Sequence, residues 1–271
     1  MLYFTNWLVK MTAILQTRTQ TERADQTRAR ILAAAIRQFS ENGLAGARTE
    51  QIAEAAGVNK ALLYYYFRSK QDLYAAAMEA VAEGVRAASM AVLETDASAG
   101  ERFLRLILNH FDRIHSNRVF QSLMQQEMIR LHRGEANALG PLVEKLFRPL
   151  WIRVQAVVEE GIAAGELIPV EETQMIYAGL GANVFYFLSA PMTRLTQGFD
   201  PLEPAALSFR RKAAIEYLGK AIFIDREHGT RVAARVLAAT PMPPKNEIET
   251  NKAENREIEA AATPAVEVRR Q

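Results

Sequence analysis

Residues 49–73, TEQIAEAAGVNKALLYYYFRSKQDL, admit few folded arrangements. Thr49 opens a short helix: its hydroxyl can cap the free N–H groups of a first turn, Glu50 follows, and Ile52, Ala53 and Ala56 share a face. Gly57 ends that helix, being able to take the positive φ of a tight turn. Asn59 caps a second helix of barely two turns through Leu62, Leu63 and Tyr65. Ser69-Lys70-Gln71-Asp72 is a capping-box pattern before Leu73. Neighbours on a helix lie about 100° apart, so Tyr64, Tyr65, Tyr66 and Phe67 cannot all be buried on one side. Leu63 and Phe67, four residues apart, share a face and can anchor the helix on Ile52, Ala53 and Val58. The three tyrosines then fan outward, while Leu62 either helps the core or meets a partner. A helix, a glycine turn and a short second helix form the arrangement that places a reading helix in the major groove of DNA.

The rest of the chain carries the helical period and no strand pattern, so the fold class is all-α. Ile31, Leu32, Ala35, Ile36 and Phe39 mark a helix from Asp25 to Asn42-Gly43, and a helix from Ser69 runs to about Met90. Further helices are expected near 101–116, 118–132, 139–164, 171–189, 203–226 and 229–239. Gly134, Gly165, Pro169 and a Pro191–Pro204 loop separate them. This yields a flexible lead over 1–23, with Met11 an alternative start, and a helix-turn-helix domain over 24–80. A larger helical domain follows over 81–239, and a disordered tail over 240–271.

The whole chain has 33 Lys and Arg against 31 Asp and Glu, a net charge of +2, so a polyanionic partner must be met by a local patch. Residues 1–72 carry ten of those bases against six acids, an excess of +4 around the glycine turn. The absence of cysteine excludes a disulfide scaffold, a thiolate nucleophile and cysteine-bound zinc, and fits a cytoplasmic location. No apolar run approaches the roughly 20 residues that span a bilayer, so no membrane partner is expected. The opening MLYFTNWLVKM lacks the basic start of a signal peptide.

TRARILAAAIRQFSENGLAGARTEQIAEAAGVNKALLYYYFRSKQDLYAAAMEA resembles the N-terminal DNA-binding domain of the tetracycline-repressor (TetR) family of transcriptional regulators. The match rests on the Ile/Ala/Phe face of the first helix, Gly43, Thr49, Ile52-Ala53, Ala56-Gly57-Val58, Leu63-Tyr64, Phe67, Ser69-Lys70 and Leu73. It covers about residues 25–80. The resemblance implies contacts to double-stranded operator DNA from Thr49, Asn59, Lys60, Tyr64, Tyr65, Tyr66 and Lys70. Leu62, where some relatives carry a small residue, cannot donate a hydrogen bond to a base.

The same resemblance implies a homodimer through the last two long helices and a small-molecule effector site in the larger domain. An apolar seam with small residues runs through Met175, Gly179, Asn183 and Tyr186 in one helix and Phe209, Ala213 and Tyr217 in the next. Packing within one chain is the alternative use of these residues. The implied pocket residues are Phe103, Ile107, His110, Phe111, Met124, Glu127, Met128, Trp151 and Asn183, a lining suited to an apolar or aromatic effector. Plain core is again the alternative. Such a protein works by population shift: effector favours one arrangement of the dimer and DNA the other, so each weakens the other's binding. A repressor is the default; an activator, a corepressor-dependent variant or a dimer without an effector also fits.

Catalysis finds little support. His110, His115, His132 and His228 show no metal-ligand spacing, Glu159-Glu160 has no histidine near in sequence, and Gly179–Gly181 lies within a helix without a phosphate-loop pattern. No cofactor and no metal are expected.

Overall fold

A computed structural model describes residues 2–116, 119–135 and 138–244, and the side chains of these other than 2–21 and Phe120. The chain folds into two compact units. The first comprises Met1–Arg86 with Val119–Arg148, and the second Ala87–Arg118 with Pro149–Gln271.

The first unit is built on α1 (Leu2–Gly46), α2 (Thr49–Ala55), α3 (Lys60–Tyr66) and the start of α4 (Lys70–Leu93), joined by α6 (Val119–His132) and α7 (Leu139–Leu142). Residues 2–23, expected as a flexible lead, are helical. The stretch before Asn42 contains no Gly or Pro, so nothing interrupts the i→i−4 ladder. Gly43 breaks it, with φ +67° and ψ 177°. Ile31, Ala35 and Phe39 pack with Ile52, Ala53, Leu63, Leu73 and Met78, and the Phe39 and Tyr74 rings meet edge to face with centroids 4.9 Å apart.

Residues 119–148, assigned above to the larger half, pack in this unit. Leu123, Leu142 and Leu146 enter its core, and Ser122 Oγ donates to the Ser40 carbonyl at 3.0 Å. Glu127 is fully buried. Its carboxylate accepts from Tyr74 Oη at 2.9 Å, Arg130 Nη1 at 2.7 Å and the Ala138 amide at 2.6 Å. Burial and this carboxylate push the Tyr74 hydroxyl above its ordinary value, which keeps it a donor.

A π-helical segment, Val143–Phe147, continues α7 into α8 (Arg148–Ala163). Pro149 has no N–H to return to Lys145, and the wider register, in which the Arg148 amide bonds the Val143 carbonyl, absorbs that loss.

In the second unit α5 (Ala99–Ser116) is the central helix, with Phe103, Leu104, Ile107 and Leu108 buried among α8, α9 (Glu172–Leu188), α11 (Pro204–Ala221) and α12 (Arg226–Ala239). The expected Pro191–Pro204 loop contains α10 (Ala190–Gln197), since Pro191 falls in its first turn, where a missing N–H costs nothing. The expected 203–226 and 229–239 helices divide earlier, because Asp225 caps α12 by accepting from the Glu227 and His228 amides. Among the described residues there is no strand, only an isolated bridge between Leu167 and Phe223. Ion pairs tie the helices together. Arg211 forks onto Asp112 at 2.7 and 2.8 Å. Burial favours the neutral form of Glu101, but Arg235 and Arg105 overcome it and hold the carboxylate below its ordinary value.

Helices α11 and α12 cross at two glycines. A Cβ on Gly229 would stand 1.9 Å from the Gly219 carbonyl oxygen and 2.8 Å from Phe223. Gly229→Ala is therefore expected to lower stability by about 3 kcal/mol, the upper part of the overpacking range. The urea midpoint measures it, and an unchanged midpoint would refute the close crossing. The tail expected from Thr240 follows α12 without regular structure to Pro244; its remainder lies outside the described residues.

Candidate nucleic-acid interface

The turn between α2 and α3 forms as its residues require. Gly57 takes φ +66°, and Asn59 Oδ1 accepts from the Leu62 amide at 2.8 Å, so α3 begins capped. Leu63 is fully buried and Phe67 nearly so, and the Arg28 guanidinium lies 5.1 Å from the Phe67 ring centroid. This anchoring turns Leu62 (37% exposed), Tyr64 (37%) and Tyr65 (80%) outward. Tyr66 behaves differently: it is half-buried against the core and meets Tyr65 edge to face at 5.4 Å. The tyrosine run thus splits into two exposed rings and one that braces the helix end.

Thr49 does not cap α2. The cap position is Arg48, and it makes no side-chain capping bond. Thr49 is buried, its hydroxyl 3.3 Å from Tyr64 Oη. It fixes the tip of an exposed ring, a role that capping preference alone could not reveal. Lys60 Nζ sits 2.5 Å from Glu50 and 5.9 Å from the Tyr64 ring centroid. Its hydrogen bond holds Glu50 below the usual carboxylate range and raises Lys60 in return. Both groups are exposed, so the pair exchanges readily for another anion. Lys70 Nζ donates to the Ala45 carbonyl at 3.1 Å, and the Asp72 amide donates to Ser69 Oγ at 3.0 Å at the start of α4. Asn59, Lys60, Tyr64 and Tyr65 therefore share an exposed edge. Thr49 and Tyr66 stand behind it, and Lys70 is turned toward the end of α1.

The expected pocket set is divided. Met124, Glu127 and Met128 lie on α6 in the first unit, where Glu127 is consumed by its buried network and Met128 is exposed. Phe103 and Ile107 are packed in the second unit's core; Phe111 belongs to a separate cluster with Phe187 and Leu207. Trp151 meets Tyr177 at 5.4 Å. Asn183 donates to the Ile107 carbonyl at 2.9 Å and approaches His110 Nδ1 at 3.5 Å.

The expected seam is corrected in phase. Met175, Gly179 and Asn183 face the unit's own interior, where a Cβ on Gly179 would meet Ile107 at 2.6 Å. Tyr186 is half-buried, its hydroxyl donating to the Pro201 carbonyl. Tyr177, Gly181, Phe185 and Leu188 on α9 point away from the unit's core, as do Phe209 (76% exposed) and Tyr217 (71%) on α11, with Ala213 half-buried between them. Because α9 is apolar on every side, its period could not tell the two faces apart.

Among the described residues no cluster of three His, Asp or Glu side chains could hold a metal ion. No single described helix is long and apolar enough to cross a membrane.

A two-turn helix presented on a support helix, its outer edge carrying amide, ammonium and phenol groups, has the arrangement of a DNA-reading helix-turn-helix. Residues 31–77 match the family model described as bacterial regulatory proteins, tetR family. The chain is 34% identical over 120 residues to the transcriptional repressor NicS of Pseudomonas putida, covering 44% of this chain and just over half of NicS, 55%. It is 28% identical over 170 residues to the transcriptional regulator RutR of Escherichia coli, covering 62% of this chain and 77% of RutR. A solved transcriptional regulator from Saccharomonospora viridis, in complex with choline, shares the fold with a TM-score of 0.60 at 18% identity, over 73% of this chain and 98% of that one. Over its helix-turn-helix the chain is thus similar to TetR-family transcriptional regulators.

Proposed function

We propose that this protein binds a palindromic operator as a homodimer, represses transcription there, and is released by a small apolar or aromatic effector. The observation that carries the reading is the outer edge of α3, where Asn59, Lys60, Tyr64 and Tyr65 are exposed while Leu63 and Phe67 anchor the helix. A phenol offers its hydroxyl to phosphate and its ring to sugar or a thymine methyl, with little rotamer entropy lost. Thr49 and Tyr66 support those rings, and Lys70 adds charge at the flank. The exposed aromatic faces of α9 and α11 supply the dimer surface, which sets half-site spacing at one helical turn or a multiple of it. The first unit is the DNA-binding part and the second the effector-binding and dimerising part. The S. viridis regulator, of the same fold and solved in complex with choline, supports the effector reading. The location is cytoplasmic, where operator DNA resides.

The test is binding to the DNA upstream of the protein's own coding region, at a fixed salt near 0.15 M. Tyr65→Ala combined with Lys60→Ala is expected to weaken binding roughly tenfold or more, since each specific contact contributes on the order of 1–3 kcal/mol. Helicity should not change, because neither side chain serves the core. Unaltered affinity in a gel-shift titration would remove α3 as the reading helix.

A further inference from the structure

The second unit holds a half-buried cation that meets no anion among the described residues. Three other arginines of this unit meet acids: Arg102 meets Glu160, Arg105 meets Glu101, and Arg211 meets Asp112. Arg113, one turn from the end of α5, meets no carboxylate among the described residues, and its Nε is sealed from solvent without a hydrogen-bond partner. Burial alone draws its guanidinium below the ordinary value, with no acid offsetting the loss. Partial burial of an unpaired guanidinium carries a desolvation cost that an anion would offset.

The groups around it are similarly incomplete. Asn109, four residues earlier and so on the same side of α5, has a sealed Oδ1 with no partner. His110 lies on the adjoining strip. Asn183 Nδ2 must be the amide nitrogen, because it donates to the Ile107 carbonyl. It can therefore only donate to His110 Nδ1, which leaves the ring proton on Nε2 as a free donor. Burial and the Arg113 charge pull His110 down to about 4, so the ring is neutral near pH 7. The ring keeps part of its surface accessible.

We propose that the second unit binds a small organic anion, an apolar or aromatic body carrying a carboxylate-type group. The anionic oxygens pair with Arg113, and His110 Nε2–H donates to the ligand. This rests on the effector reading above and narrows it: the molecule that releases DNA is an acid rather than a neutral hydrocarbon. A guanidinium suits the task because its planar fork matches a carboxylate bidentately and remains charged at all working pH values.

The test uses the full chain and paired probes of matched shape, benzoate with benzamide and octanoate with octanamide. Binding is followed by calorimetry, and release by gel shift on the upstream DNA. At least one acid is expected to bind tighter than its amide. Arg113→Met should weaken that acid roughly ten- to hundredfold while leaving the amide unchanged, and Arg113→Lys should restore part of the loss. Should Arg113→Met fail to fold, the acid–amide difference in the native chain and the Arg113→Lys titration still decide. Equal binding of acid and amide would overturn the anion assignment and leave an apolar effector standing. Arg113-dependent acid binding with the DNA complex intact would keep the site and remove the effector reading. Binding of neither member of either pair, or a response to inorganic phosphate as large as to the acids, would overturn the proposal.

Discussion

Glutamate at both Phe209 and Tyr217 is expected to yield a folded monomer that no longer binds a two-half-site operator. Both rings extend from α11 into solvent and contribute nothing to their own unit's core. Covering an aromatic side chain of this size contributes about 1.5–3 kcal/mol. A two-fold axis uses each ring twice, so four rings are affected per dimer. Interface energy concentrates in such aromatic anchors. Glutamates covered by an apolar interface would also be desolvated without a partner cation. Light scattering should report twice the chain mass for the native protein and a single chain mass for the double variant, with unchanged far-UV circular dichroism. A native dimer mass in the variant would place the interface elsewhere.

Glu127→Ala should be the most destabilising single change in the first unit. The carboxylate is fully buried and serves three donors, from α4, from α6 itself and from the start of α7. Deleting it orphans the Tyr74 hydroxyl and the Ala138 amide and leaves Arg130 with its outer partner Glu135, 3.3 Å away. Removing one member of a buried charged network costs about 3–5 kcal/mol. Glu127→Gln keeps an oxygen for Tyr74 and the size of the side chain, and should lose roughly half as much. Denaturant titration separates the two, and equal stability of Glu127→Ala and the native chain would show that the network holds nothing.

The reading head was legible because its constraints are local. Asn59, Gly57, Leu63 and Ser69 act within four residues of their own positions, and each occupies the place its chemistry requires. Thr49 was misassigned because a threonine before a helix can either cap or turn inward, and only the position of Tyr64 decides between them. Partner choice at long range was not legible. Glu127 reads as a surface or pocket acid until Tyr74, more than fifty residues earlier, is brought against it. The apolar period of 119–148 is the same whichever core receives it. The seam on α9 failed for a related reason: with Met175 and Gly179 on one side and Tyr177 and Phe185 on the other, hydrophobicity marks both faces and phases neither. Arg113 attracts no notice in a sequence, since an arginine becomes informative only when the absence of its acid is visible.

The Lys60–Glu50 pair has a consequence for how ionic strength governs DNA binding. A lysine that reaches a phosphate normally expels a condensed cation from the duplex, and each such phosphate contributes about −0.9 to the slope of log affinity against log salt. On the proposed reading, Lys60 would meet DNA already paired with Glu50. When it turns to a phosphate, the deserted carboxylate gathers a cation of its own, and net counterion release at that contact falls toward zero. The edge of α3 would then hold DNA mainly through phenol rings and an amide, groups whose contribution does not fade as salt rises.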